Sequence, residues 1–340
     1  MTCRLVVKSP GFLASFQDLG RFGYRRFGVP SSGVLQPEFA KLANVMAGNP
    51  EDAAVLEFLL RGPTLHLAEG ALRLAIAGDC LINMIRDGKR RKFHAWRSIN
   101  LQAGDTVEIG QVQSGKAGYI AIAGGFALAP VMGSYATYLR GGFGGLNGEP
   151  LQEGMSLPVE SATAPKEQNL YLPSPPPTAI PNNPQESTSR VAPATIRVIL
   201  GPQDDYFTKN ALNNFFSGVY TVSRESDRMG SRLEGPLLEH HPDKKPEIVS
   251  DGMVPGAIQV PGNGAPIVML ADGPTVGGYP KIATIISVDL PKLAVMTPGS
   301  QLCFEAVSVE EAETELKVDR ERLKALLASI RLLPKFSEPF

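Results

Sequence analysis

The sequence predicts a mainly β protein with a few short helices and a C-terminal helix, and two observations carry that reading. The 340 residues include 35 glycines and 29 prolines, roughly a fifth of the chain against a usual ~12%, which marks many turns between short elements. Apolar stretches bounded by turn residues then recur as strand candidates at 72–78, 105–110, 118–125, 195–201 and 219–224. They continue at 248–252, 256–261, 266–273, 281–289 and 301–308, and the central ones are apolar enough for burial on both faces.

Helices are expected at four places. Residues 36–48 put Pro37 in the first turn, Phe39, Leu42, Ala43 and Met46 on one side, and Gly48 at the stop. Residues 50–60 read as a second short helix. The stretch 204–216 lines up Phe207, Ala211, Leu212, Phe215 and Phe216 behind Asp204 and Asp205, acids suited to a helix N-terminus. The tail from 309 follows a capping box, Ser308 with Glu311, and carries Val309, Ala312, Leu316, Leu323, Leu326 and Ile330 at a helical period.

This length makes two domains the leading count, with a single barrel-type domain plus tail as the alternative. The expected division is a β-rich domain at 1–160, a Pro-rich linker or surface loop at 161–194, a β domain at 195–308 and a helical tail at 309–340. The PPP core of the linker favours extended geometry.

Charge and cysteine usage exclude several classes. A net charge of −1 supplies no basic field for nucleic acid or anionic lipid, so neither partner is expected. Apolar residues at 43% and charged residues at 20% fill real cores. Cys3, Cys80 and Cys303 fit neither a disulfide framework nor a zinc cluster, which points to a reducing, cytoplasmic setting. Arg4 and Lys8 are followed by no apolar stretch of ~7–15 residues before a small-residue cleavage site, so neither export nor membrane insertion is expected.

GQVQSGKA at 110–117 has phosphate-loop spacing, but Ala117 replaces the hydroxyl that would hold magnesium, and the residues after it read as a strand. A plain hairpin turn is expected there. His66, His94, His240 and His241 lack companions at ligand spacing, so no metal site is expected. No serine sits in G-x-S-x-G, which argues against nucleophilic hydrolysis by this chain alone.

Three tracts have the residue types for chemistry. YLRGGFGGLNGEP (138–150) offers backbone freedom beside Arg140, although β-barrels also use glycine-dense turns. SRESDRMGSRLEGP (223–236) gathers Arg224, Arg228 and Arg232 with acids, a combination that also suits a solvated, self-paired face. LADGPTVGGYPKIA (270–283) delivers Lys281 to the start of an apolar strand, where burial disfavours its charge unless it is paired, with Asp272 as the candidate partner. A lysine pointing outward at the strand end is the alternative.

QDLGRFGYRRFGVPSSG (17–33), YLRGGFGGLNG (138–148), SDRMGSRLEG (226–235), PGAIQVP (255–261) and GGYPKIA (277–283) are similar, in order, to one family. It is the family of the bacterial 5-oxoprolinase C subunit, also called allophanate hydrolase subunit 2 or biotin-dependent carboxyltransferase-like protein, an antagonist of a sporulation-kinase inhibitor in some members. The family in turn resembles part of the carboxyltransferase domain of urea carboxylase. The resemblance implies a cyclophilin-like β-barrel architecture, a B subunit of the kinase-inhibitor type, a separate A subunit, and ATP-dependent opening of 5-oxo-L-proline to L-glutamate. It leaves two other readings open: a biotin-dependent carboxyltransferase component acting on urea or another amide, and a non-catalytic regulator that binds an inhibitor subunit. No Met-Lys biotinyl motif occurs, so biotin would ride on another chain, and ATP would be bound with the partner subunits.

Carried residue by residue, the resemblance places Lys281, Arg228, Arg140 and Asp18 in catalytic roles. It places Gln17, Arg21, Ser226, Gln259, Tyr279, Gly277 and Gly278 around the substrate, and Asp272 joins them as an orienting carboxylate. The chain departs from the family pattern at Gln36, at Pro274 with Thr275-Val276, and at Ser231. Those are positions where amide, hydroxyl or stacking groups would serve recognition.

Overall fold

The computed structural model describes residues 3–159, 169–172 and 192–331. The chain divides into two compact units, one of Met1–Phe22, Ser32–Thr178 and Arg322–Phe340, the other of Gly23–Ser31 and Ala179–Glu321.

The first unit is a nine-stranded sheet with a helix on it. Its elements are β1 (Arg4–Ser9), β2 (Ser15–Gln17), α1 (Pro37–Ala47), β3 (Val55–Leu59), β4 (Thr64–Glu69), β5 (Ala71–Arg86), β6 (Lys89–His94), β7 (Arg97–Gln102), β8 (Thr106–Ile122) and β9 (Ser156–Leu157). The strand order is β2-β3-β8-β4-β1-β9, and β5 pairs with β6, β7 and β8. β5 and β8 run antiparallel, with register shifts between Ala77 and Ile82 that let such long strands bend. Leu5, Phe16, Phe58, Leu74, Ile82 and Ile120 are among the apolar side chains that fill the core. α1 has Pro37 in its first turn and ends on left-handed Gly48, as the sequence predicts.

In the second unit the elements are β10 (Ala194–Leu200), α2 (Lys209–Ser217), β11 (Tyr220–Val222), β12 (Gly230–Glu234), β13 (Asp251–Gly252), β14 (Ala257–Gln259), β15 (Ile267–Met269), β16 (Val276–Gly277), β17 (Lys281–Ile285), α3 (Leu290–Ala294), β18 (Gln301–Ala306) and α4 (Val309–Arg331) as far as Glu321, its last residues being counted with the first unit. Seven strands close a barrel in the order β10-β17-β14-β15-β12-β11-β18, and β13-β16 form a separate two-stranded ribbon. The barrel closes where β10 and β18 run parallel, Ala194 opposite Leu302 through Val198 opposite Ala306. Phe215 stacks on Phe304 with centroids 4.5 Å apart, which seats α2 on β18. Asp289 joins α3 to β10 by taking two hydrogen bonds from the Arg197 side chain, a third from its backbone, and a fourth from Lys292.

The mainly β barrel architecture with few helices and a C-terminal helix is present, and the Ser308–Glu311 capping box forms in both directions. Three local expectations are corrected. Residues 50–60 hold β3 instead of a helix: all five of its residues are buried, and a strand covered on both faces loses the alternation that separates it from a short buried helix. Residues 110–117 lie inside β8, with Gly115 at φ 71° taking up an irregularity, instead of turning a hairpin. Asp204 and Asp205 sit in a 3-10 turn, while α2 starts later, capped by Thr208, whose hydroxyl accepts from the Ala211 amide. Asn169–Leu172, placed in the Pro-rich segment, pair with the backbone beside β7 through Ser98 and Trp96; most of 160–194 lies outside the described residues.

Candidate functional site

Four of the expected site residues belong to the first unit, where Gln17, Asp18 and Arg21 meet the protein's own backbone. Gln17 follows from β2 and donates to Ser15 Oγ and the Thr137 carbonyl, and its Oε1 accepts from the Gly33 amide. Asp18 accepts from the Gly20 and Tyr135 amides and from Ser134 Oγ. Arg21, fully buried, donates to the Val131 and Ala136 carbonyls and lies 4.9 Å from the Phe143 ring centroid. The two motifs are thereby linked: β2 and the loop after it pin the segment 131–145. Gly144 is needed there, because at φ 78° a Cβ would lie 2.0 Å from the Ala136 carbonyl oxygen. Arg140 is exposed on the turn that closes this tract.

The other expected residues belong to the second unit, where the structure brings most of them together. Lys281 opens β17 with only 5% of its surface exposed. Its Nζ donates to Asp251 Oδ2 at 2.7 Å, so its partner is Asp251 and not Asp272. Asp272 instead pairs with Arg228, Nε to Oδ2 at 2.9 Å, both groups being buried. The exchange of partners follows from the fold: Asp251 stands on β13, opposite Gly277 on β16, while Asp272 lies beside the Arg228 backbone, donating its amide to that carbonyl. Lys281, the Gly252 amide and Gln203 all hold the Asp251 carboxyl below the usual carboxylate range.

Gln259, buried on β14, sits opposite Lys281 in the sheet register and donates to the Tyr279 carbonyl. Gly277 makes this approach possible, since a Cβ there would stand 2.2 Å from Gln259 Nε2. Gly278 accepts at its carbonyl from the Ile248 amide. Ser226 exchanges hydrogen bonds with the Arg232 backbone and shapes the β11–β12 turn. The charged face expected at 223–236 divides: Arg228 is buried, whereas Arg232 and Glu225 approach only to 3.7 Å in solvent. Tyr279, with Ser223, Arg232, Glu234, Pro261 and Asn263, lines a groove of about 470 Å³, which Lys281, Arg228 and Asp272 do not reach.

The ribbon has three further participants that sequence reasoning did not single out: Asp251, Gln203, whose Oε1 accepts from the Lys281 amide, and Arg25. Arg25 lies in a 3-10 turn of the Gly23–Ser31 segment and donates through Nη2 to the Met253 and Pro274 carbonyls. Arg25 stands within the first quoted motif, and Asp251 lies in the strand candidate 248–252, so their positions were visible but their partners were not. Asp272 Oδ1 is buried without a hydrogen-bond partner among the described residues, leaving an acceptor beside the Arg228 cation. Chemically, the Lys281–Asp251 pair offers a charge-balanced lysine, and the Arg228–Asp272 pair, separately, a buried guanidinium with a carboxylate oxygen able to accept an N–H; each is a group suited to polarising or orienting an amide. Among the described residues no three His, Cys, Asp or Glu gather where a metal ion could sit, and no helix is long and apolar enough to cross a membrane.

The profile of the carboxyltransferase domain, subdomains A and B, matches residues 27–306, and the chain belongs to that family. It is 33% identical over 319 residues to the 5-oxoprolinase C subunit of Escherichia coli (strain K12), covering 94% of this chain and 96% of that one. The 5-oxoprolinase C subunit of Haemophilus influenzae is likewise 33% identical, over 88% of this chain and 90% of its own. Among solved structures, the urea amidolyase of K. lactis superposes with a TM-score of 0.78 at 27% identity, covering 94% of this chain and 20% of that chain.

Proposed function

We propose that this chain is the C subunit of an ATP-dependent 5-oxoprolinase, working with a B subunit plus an A subunit to open 5-oxo-L-proline to L-glutamate. One observation carries the reading: the chain matches its C-subunit relatives over nearly their whole length, but only a fifth of the urea amidolyase chain. The reaction adds water to the lactam carbonyl and breaks the ring C–N bond, the nitrogen taking a proton to become the amine of glutamate. Lys281 and Arg228 are assigned to charge building on the lactam oxygen, and Asp272 Oδ1 to the lactam N–H. Gln259, Tyr279, Gly277 and Gly278 are assigned to the ribbon and strand ends around Lys281 and Ser226 to the β11–β12 turn, while Asp18, Gln17 and Arg21, with Arg140, are assigned to the 131–145 loop of the first unit.

ATP supplies the driving force in this reading. Residues 110–117 do not fit a phosphate cradle, because they lie within β8 and continue as strand to Ile122, where a phosphate loop needs a following helix N-terminus. ATP is therefore assigned to the partner chains. The free cysteines Cys3, Cys80 and Cys303 suit a reducing, cytoplasmic setting.

The test is glutamate release from 5-oxoproline with ATP by this chain co-purified with the products of its neighbouring genes. Lys281→Ala is expected to lower kcat by about 10²-fold or more. A stable complex that releases no glutamate but carboxylates urea in the presence of carboxybiotin would overturn the reading in favour of the carboxyltransferase alternative. A complex with no turnover on either substrate would favour the regulator.

A further inference from the structure

We propose that Arg25 is a positioning residue: it staples both strands of the β13–β16 ribbon and thereby holds Asp251 in place against Lys281. The ribbon is two residues long on each side, Asp251–Gly252 against Val276–Gly277, too little for a hairpin to hold itself in water. Its first strand leads to Met253 and its second follows Pro274, and these are the two carbonyls that Arg25 Nη2 holds. One planar guanidinium thus bridges both strands at the end where they meet the Met253–Thr275 backbone hydrogen bond.

The ribbon's other function lies two residues away. Asp251 is more than half exposed, yet it supplies the carboxylate that balances the buried Lys281 ammonium at 2.7 Å. Lys281 is 5% exposed and this carboxylate is its ion-pair partner, so any looseness in the ribbon is transmitted directly to that contact. Arg25 suits the task because its own position is fixed locally: the turn Arg25–Phe27 is closed by Phe27 and Gly28 amides donating to the Tyr24 and Arg25 carbonyls, with Gly28 left-handed at φ 82°. Both contacts are made by one nitrogen, Nη2, so a lysine, whose ammonium has three donors on a shorter side chain, would replace them only in part.

The experiment compares the full-length chain with Arg25→Gln and Arg25→Lys by three measurements. Amide hydrogen exchange at 250–254 and 275–278, together with acetylation of Lys281 by acetic anhydride read by mass spectrometry, needs no substrate. In Arg25→Gln both are expected to accelerate about ten- to a hundredfold, the size of a lost hydrogen bond to a charged group, while exchange in the barrel strands β10, β17 and β18 stays unchanged. Arg25→Lys should recover part of the protection. The third measurement, turnover of 5-oxoproline in the assembled complex, rests on the function proposed above and is expected to fall in kcat with KM retained. Unchanged ribbon exchange and Lys281 reactivity would overturn the proposal, as would acceleration spread through the barrel, which marks a general structural role. Absence of turnover in the unaltered complex would count against the 5-oxoprolinase reading alone, because exchange and acetylation still decide the role of Arg25.

Discussion

Asp289 shows how a single carboxylate can hold an element in place. Burial works against its ionisation, but hydrogen bonds from Arg197, Lys292 and the Arg197 amide outweigh that cost and keep its carboxyl below the usual carboxylate range. Asp289→Ala is expected to lower stability by about 3 kcal/mol, since it leaves Arg197 with Glu315 as its remaining ion-pair partner; urea unfolding measures this. Because the folded pKa is depressed, the contribution is fully present above pH ~4 and is lost as pH falls through the depressed value. The variant should therefore lose this part of the acid dependence, and a wild-type-like acid limb in Asp289→Ala would contradict the assignment. At the same scale, Lys281 shows what sequence could not convey. An apolar strand following GGYP left a buried, paired lysine and an outward-pointing one both open; the structure buries it, and the choice of Asp251 over Asp272 depends on which strand reaches the lysine in three dimensions.

Among the elements, the segment 131–145 has no strand or helix of its own and is shaped by β2 and its loop. Gly144→Ala places a methyl against the Ala136 carbonyl at a left-handed φ, and about 2 kcal/mol or more of stability should be lost, visible as a lower thermal midpoint and as faster exchange at Ala136 and Thr137. An unchanged midpoint would mean that the tract relaxes freely. Much of the second unit was legible because its strands are short apolar runs set off by Gly and Pro, as at PGAIQVP and PIVMLADG. The first unit was less so: β1 to β4, β6 and β7 escaped notice. KRRKFH in β6 carries so much charge that its pairing with β5 leaves little apolar signature, and β3 is buried on both faces. Gln17, Asp18 and Arg21 stood out as a motif, but only the fold reveals that their partners are backbone groups more than a hundred residues away.

Over a whole unit, Cys80 reports on integrity. It is buried on β5 within the core of the first unit, and burial, aided by Asp79, pushes its thiol pKa up to about 12. The thiolate is the reactive form, so alkylation of Cys80 at pH 8 should proceed only as fast as the unit opens and should track its unfolding rate as urea is raised. Rapid labelling in native buffer would contradict that packing. The barrel imposes a different collective condition. Its first strand, β10, pairs with its last, β18, so closure requires everything between residues 194 and 306.

The segment Gly23–Ser31 also has a genealogical consequence. Arg25 entered the chain near its start, yet the carbonyls it holds lie beyond residue 250, so a recombination break anywhere between them separates the clasp from its target. A chimaera joined between those positions to a relative without the clasp is expected to show a loosened β13–β16 ribbon.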